Sequence, residues 1–211
     1  MSQLTPPEDK APAIERRFIN VKDLRFVDGD GAAEKIEGHA AVFNEWSEVI
    51  DLGWFAFREQ IKPGAFSQAI QKDDIRALMN HDPNYVLGRN ISNTLQLAED
   101  EIGLKSTVFP PDTQWARDLK VSMKRGDVSQ MSFGFISLDE EWGRYDGMDS
   151  RTILRAKLFD VSIVTFPAYP QTDASVRSMA RKHLEDIGKK RKQEDQYKQR
   201  LYFVKKISIG G

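Results

Sequence analysis

Hydrophobic and polar residues alternate in several short segments, a pattern that predicts a protein built mainly of β-strands. Ile75, Ala77 and Met79 occupy every second position, which is the period of a half-buried strand. This strand is expected to stop at His81-Asp82-Pro83, because proline interrupts regular strand pairing. Further strands are predicted at residues 18–27, 36–43, 95–97, 102–108, 131–136 and 158–166, with Glu99-Asp100-Glu101 as the turn of a hairpin.

Two segments between the predicted strands have the pattern of helices. The first opens at Pro63-Gly64-Ala65-Phe66 and places small and apolar residues on one face. The second is expected to be capped by Asp112 and to stop at Gly126, with Trp115 and Leu119 on its apolar face. Many short strands with two or three helices predict a mainly β, α+β fold, either a barrel or a sandwich with helical cover.

Charge divides the chain into a body and a tail. Over 211 residues the net charge is −1, but residues 181–206 carry ten lysines and arginines against four acids, a net of +6. The rest of the chain therefore carries −7. We expect a flexible leader at residues 1–14, a β-rich domain at 15–178 and a basic tail, helical or disordered, at 179–211.

Composition excludes several classes of chemistry. The chain has no cysteine, which removes disulfides, thiol nucleophiles, thiolate zinc sites and iron–sulfur clusters. No apolar run reaches the roughly 18 residues that cross a bilayer, and residues 1–10 are polar, so neither a membrane span nor a secretory signal is expected. A net charge near zero argues against the whole chain being an electrostatic nucleic-acid binder.

Of the three histidines, His81 is the candidate for chemistry. It ends a predicted strand beside polar neighbours, where catalytic groups tend to be placed on a rigid scaffold. His39 lies in the middle of a predicted strand and is interpreted as structural, and His183 lies in the basic tail and is interpreted as solvated surface. The chain has no His-Glu-x-x-His and no close histidine pair, so nothing in it predicts a metal site.

Ser132 and Gly134 share one face of the predicted strand at residues 131–136, opposite Met131, Phe133 and Phe135. One interpretation is that these small residues pack against a helix. The other is that a stiff strand presents Ser132 as a nucleophile, while Gly134 lets a substrate backbone approach closely. A serine needs a base within hydrogen-bond reach to be activated, and His81 is the best candidate.

Asp160 interrupts an apolar, β-rich segment, although aspartate is depleted in strands. A carboxylate in such a run is costly to bury unless it is paired. The residue either faces solvent or accepts the second imidazole proton, which would fix the tautomer of the histidine and stabilise the imidazolium.

Together, five segments resemble the prohead proteases of tailed bacteriophages and follow the order found in that family. The resemblance runs from about residue 35 to about residue 177, and the ordered set is far more specific than any one segment. The segments are EGHAAVF at 37–43, FREQIKPGAF at 57–66, NHD at 80–82 with LGR at 87–89, RGDVSQMSFGF at 125–135, and DVSIVT at 160–165 with PAYP at 167–170.

The resemblance implies a serine endopeptidase, distantly related to the herpesvirus assembly protease assemblin, with a closed β-barrel wrapped by helices. The family's histidine falls on His81 and its serine on Ser132. The third member is a second histidine in the herpesvirus enzymes and an acidic residue in the phage enzymes, and we assign it to Asp160. Ser129 remains a rival for the serine, and Asp82 a rival for the acid.

The resemblance also implies a setting and a substrate. Proteases of this family act inside the assembling prohead in the host cytoplasm, where they cut the scaffolding protein or the scaffold-like segment of the major capsid protein, and also themselves. Those proteins are the expected partners, and a homodimer is a further expectation because herpesvirus relatives need dimerisation. No cofactor, metal, membrane or specific nucleic acid is expected.

Two other functions compete with the peptidase. A non-catalytic capsid-assembly or tail-tube-like module on a related barrel would leave His81, Ser132 and Asp160 apart. A metal-dependent hydrolase would use His39, His81 and Asp82. The basic tail also has two interpretations, a solvated helix or a docking segment that is removed at maturation.

Overall fold

The computed structural model describes residues 14–19, 23–29, 33–166 and 174–209. The chain divides into two compact units, Met1–Asp173 and Ala174–Gly211. Most of the predicted leader lies outside the described residues. In the second unit, the described residues form one helix, Ala174–Ile209, and the predicted bounds of leader, domain and tail remain a prediction.

The first unit contains eleven described strands and two helices, and the second contains the third helix. The strands are β1 Glu15–Ile19, β2 Arg25–Val27, β3 Lys35–Val42, β4 Ile50–Asp51, β5 Ala56–Ile61, β6 Arg76–Met79, β7 Asp82–Arg89, β8 Leu95–Glu99, β9 Gly103–Val108, β10 Gln130–Tyr145 and β11 Met148–Val164. The helices are α1 Ser67–Lys72, α2 Gln114–Arg125 and α3 Ala174–Ile209.

The described strands form two sheets. The larger has seven strands in the order β1-β10-β11-β5-β4, with β6 on β11 and β7 on β6; the smaller has the order β2-β3-β9-β8. The prediction of a mainly β fold with helices is confirmed. The pairing among these strands does not close either sheet into a ring, so the closed barrel remains a prediction.

The hairpin of β10 and β11 forms the centre of the larger sheet. Its two strands pair antiparallel from Gln130↔Val164 to Tyr145↔Met148. They are joined at Asp146 and Gly147, which both have positive φ, as tight hairpin turns require. The sequence pattern predicted only residues 131–136 and 158–166 of this hairpin, because polar and charged residues dominate the rest of β10.

Three sequence predictions need correction. The strand predicted at residues 18–27 is two strands, β1 and β2, in different sheets. Pro83 does not end the pairing, since it lies near the start of β7. Among the described strands β7 pairs with β6 alone, and proline is tolerated in such edge strands. The cap of α2 is Thr113 and not Asp112, although the helix stops at Gly126 as predicted, with φ of 84°.

Aromatic side chains fill the core between the hairpin and α1. Phe66 packs edge-on against Phe133 with ring centroids 5.6 Å apart, and Phe133 lies 5.0 Å from Phe135. The start of α1 is held by Glu99 at the end of β8, whose carboxylate accepts the Phe66 N–H and the Ser67 hydroxyl. The core therefore lies on the face of β10 opposite Ser132.

A buried network of charges ties β1 to β5, β10 and β11. The Arg151 guanidinium donates to Glu15, Glu59 and Glu140 at 2.5–2.9 Å, and Arg17 donates to Glu15 and Glu59 at 2.6–3.0 Å. Arg151 is only 1% exposed. Burial alone would raise the pKa of Glu15, but Arg17 and Arg151 lower that pKa from 4.5 to about 2.

Acid should weaken this network through Glu15. Because its pKa is depressed in the folded protein, its contribution is complete above about pH 4.5 and is lost as the pH falls towards about 2. The shift corresponds to about 3 kcal/mol of unfolding free energy. Urea unfolding of the wild type and of Glu15→Gln should show a stability difference that shrinks between pH 6 and pH 2. A difference that does not change with pH would contradict this.

Candidate active site

One face of the larger sheet collects the polar side chains that the sequence singled out. Ser132 pairs with Ser162 across β10 and β11, and Gly134 pairs with Asp160. Alternate residues of a strand share a face, so these four positions lie together on the side away from the aromatic core. Ser132, Asp160 and Ser162 are all buried.

The turn after β6 brings His81 to this face. Asn80 and His81 both have positive φ, 54° and 57°, a conformation that costs a non-glycine residue about 1–3 kcal/mol and is concentrated at functional sites. Asn80 offsets this cost by joining the turn to β11: its N–H donates to the Ile163 carbonyl, and its side-chain oxygen accepts the Thr165 N–H, both at 2.9 Å. The imidazole is thereby held over the end of β11.

His81, Ser132 and Asp160 form a continuous chain of hydrogen bonds. The His81 Nε2 lies 2.7 Å from Ser132 Oγ, and Nδ1 lies 2.5 Å from Asp160 Oδ1. The imidazole therefore bridges a hydroxyl and a carboxylate through its two nitrogens. A carboxylate so placed favours the tautomer with the proton on Nδ1, which leaves Nε2 free to accept the serine proton.

The Ser132 hydroxyl has a second neighbour. Its Oγ lies 2.8 Å from the carbonyl oxygen of Arg17 on β1. The hydroxyl has a single proton, so it donates either to this carbonyl or to His81 Nε2, and only the second arrangement activates the oxygen. Ser132 has no exposed surface, so a peptide can reach it only after a local movement uncovers the hydroxyl.

An open cavity of about 380 Å³ lies beside His81. Its walls come from β1, from the turn after β6 and from the end of β11. The lining residues are Arg16, Asn80, His81, Val164, Thr165 and Phe166. Phe166 is 81% exposed, which gives the rim an apolar surface beside the cationic Arg16.

The rival residues are placed differently. Ser129 is exposed and precedes β10, and the Asp82 carboxylate accepts the backbone and side-chain N–H groups of Asn84. The ring nitrogens of His39 contact Asp23 and Asp100. The structure therefore does not assemble His39, His81 and Asp82 as one set. His183 lies on α3 in the second unit.

Sequence reasoning gave no role to three features of this face. Ser162, whose hydroxyl donates to Asp160 Oδ1 at 2.6 Å, is predicted only to share a face with Asp160. Its position two residues after Asp160 on a strand was a usable signal, because it places both side chains on one face. Arg16 and the Arg17 carbonyl come from β1, and no local pattern shows that this strand pairs with β10.

A hydroxyl, an imidazole and a carboxylate joined in this order are the arrangement used by serine hydrolases. The family model for Caudovirus prohead serine proteases matches residues 21–187, more than three quarters of the chain. The chain therefore belongs to this family of phage capsid-maturation proteases.

A solved structure, that of the bacteriophage T4 capsid assembly protease gp21, is similar at a TM-score of 0.41 with 11% identity. The match covers 72% of this chain and 94% of that one. A search of curated proteins finds no match. In the described part of the chain, no helix has the length and apolar character needed to cross a bilayer.

Proposed function

We propose that this chain is a serine endopeptidase in which Ser132 is the nucleophile, His81 the general base and Asp160 the acid that orients His81. The observation that carries the proposal is the hydrogen-bond chain through both nitrogens of His81, at 2.5 and 2.7 Å. A non-catalytic module gives no reason to join a buried serine and a buried aspartate through a half-buried histidine on the face away from the core. The contact therefore favours the peptidase.

In the proposed reaction, His81 Nε2 takes the Ser132 proton as Oγ bonds to the carbon of a peptide carbonyl. Collapse of the tetrahedral intermediate breaks the C–N bond, and His81 gives its proton to the departing amine. A water molecule then attacks the acyl-enzyme by the same route and releases the new carboxyl group. Asp160 accepts the Nδ1–H bond throughout and stabilises the imidazolium, remaining ionised.

The substrates that we propose follow from the family. They are the scaffolding protein or the scaffold-like segment of the major capsid protein, and the protease itself, cut inside the prohead in the host cytoplasm. In this setting the basic α3 is either a solvated extension or a docking segment that holds the enzyme to an acidic capsid surface until it is removed. We also propose, by analogy with the herpesvirus relatives, that the enzyme acts as a homodimer.

A fluorophosphonate probe tests the central proposal without knowledge of the cleavage site. In the expected reaction, Ser132 Oγ bonds to phosphorus, fluoride leaves and His81 takes the hydroxyl proton. Peptide mapping should place the adduct on Ser132, and His81→Ala should suppress it. Ser129→Ala is the matched control and should be labelled as fast as the wild type. An unlabelled wild-type protein would favour the non-catalytic module.

A further inference from the structure

A second buried hydroxyl reaches the carboxylate of Asp160. We propose that Ser162 is a positioning residue that, with Gly134, fixes Asp160 in the orientation that His81 requires. The inference rests on the proposed peptidase function and extends it to two residues whose side chains make no hydrogen bond to His81 or Ser132. Ser162 acts through the carboxylate alone.

The two donors converge on one oxygen. Asp160 Oδ1 receives the Ser162 hydroxyl at 2.6 Å and lies 2.5 Å from His81 Nδ1. Ser162 has no exposed surface, so its hydroxyl bond to the carboxylate is shielded from competing water. A hydrogen bond from a fixed hydroxyl to a charged group is stronger than one between neutral groups, and it also sets the rotation of the carboxylate.

Gly134 confines the other carboxylate oxygen. It is the pairing partner of Asp160 across the hairpin, and a Cβ added there would lie 2.4 Å from Asp160 Oδ2 and 3.3 Å from its Cγ. Any side chain at this position would therefore push the carboxylate off its present place. The Asp160 carboxyl group lies between the Ser162 hydroxyl on one side and the Gly134 backbone on the other. Both the position and the rotation of the carboxyl group are therefore set.

This arrangement matters because His81 cannot compensate for a displaced acid. The imidazole stands on a turn at positive φ that is fixed to β11 by Asn80, so it has little freedom to follow Asp160. When Ser162 is lost, Asp160 can rotate and the fraction of molecules with Nδ1 properly paired falls. The expected loss in the chemical step is about 10- to 100-fold, the range for one hydrogen bond to a charged group.

The test compares phosphonylation by the fluorophosphonate probe in Ser162→Ala, Ser162→Thr and the wild type. Ser162→Ala should lower the maximal rate of labelling by about 10- to 100-fold and leave the half-saturating probe concentration unchanged, because Ser162 is not accessible to the probe. Ser162→Thr, which keeps the hydroxyl, should recover most of the rate. Ser150→Ala is the matched control, since Ser150 is another buried serine of β11 and is remote from the site.

A spectroscopic measurement separates positioning from a general structural role. The proton between His81 Nδ1 and Asp160 should give a strongly downfield ¹H resonance, which Ser162→Ala should shift or broaden and Ser150→Ala should leave in place. If Ser162→Ala does not fold, Gly134→Ala displaces the same carboxylate from its other side and should produce the same loss of rate.

The outcomes are distinct. A wild-type protein that is not labelled at Ser132 rejects the proposed function itself. If the wild type is labelled and Ser162→Ala labels within twofold of it, the function stands and the role of Ser162 is rejected. Equal losses in Ser162→Ala and Ser150→Ala also reject that role, because the effect would then belong to the strand and not to the contact with Asp160.

Discussion

Replacing Ser132 with alanine should lower the rate of peptide-bond cleavage by about 10⁴- to 10⁶-fold, the range found when the nucleophile of a serine protease is removed. Without Oγ no acyl-enzyme can form, and the remaining site contributes only binding and electrostatic stabilisation. The measurement is co-expression with the major capsid protein of the same phage, followed by mass spectrometry of both chains.

The fold should survive this change, since alanine fits wherever serine does and the aromatic core lies on the other face of β10. The loss of the hydroxyl leaves the Arg17 carbonyl without its side-chain donor, at a cost of about 1–3 kcal/mol. Ser129→Ala is the control and should cleave normally. An active Ser132→Ala variant together with an inactive Ser129→Ala variant would move the nucleophile to Ser129.

The alternation in the sequence matches the observed burial closely in the hairpin of β8 and β9 and only in part in β6. In β6, both Ala77 and its neighbour Leu78 are buried, and in the hairpin of β8 and β9 acidic residues form the turn. β5 was missed although it alternates equally well, because one of its three buried positions is Glu59. Its partners, Arg17 and Arg151, lie 42 and 92 positions away, so no local pattern shows that this charge is compensated.

The candidate site could be predicted further than the fold because each of its residues breaks a local rule. Asp160 is an acid in a strand, His81 ends a strand at a turn, and Ser132 with Gly134 forms a small-residue face on an aromatic strand. These departures singled out the three residues, and the family resemblance joined them as one candidate site before the pairing was known. Two kinds of contribution to the site could not be predicted. One is a backbone group, the Arg17 carbonyl, and the other is the strand β1, which pairs with β10 although it lies far from it in the sequence.

Replacing Arg151 with methionine should destabilise the protein by about 3–5 kcal/mol, the cost of breaking a buried ion pair by removing one partner. The change leaves Glu15 and Glu59 with Arg17 as their cationic partner, whereas Glu140 keeps the hydrogen bond from the Trp142 N–H. Total stability of a domain is about 5–15 kcal/mol, so the loss is a large part of it. Urea unfolding measures it, with Arg155→Met as the matched control, because Arg155 is an exposed arginine of the same strand.

A second substitution shows whether charge is the cause. Adding Glu59→Gln to Arg151→Met removes one of the carboxylates that are then in excess over Arg17, and should recover part of the lost stability, as coupled members of one network do. If the stability losses of the two single substitutions simply add in the double variant, Arg151 acts through packing instead. Because Arg17 both joins this network and gives its carbonyl to Ser132, Arg151→Met should also loosen β1 over the serine. We therefore expect the folded fraction of Arg151→Met to react faster with the fluorophosphonate than the wild type does.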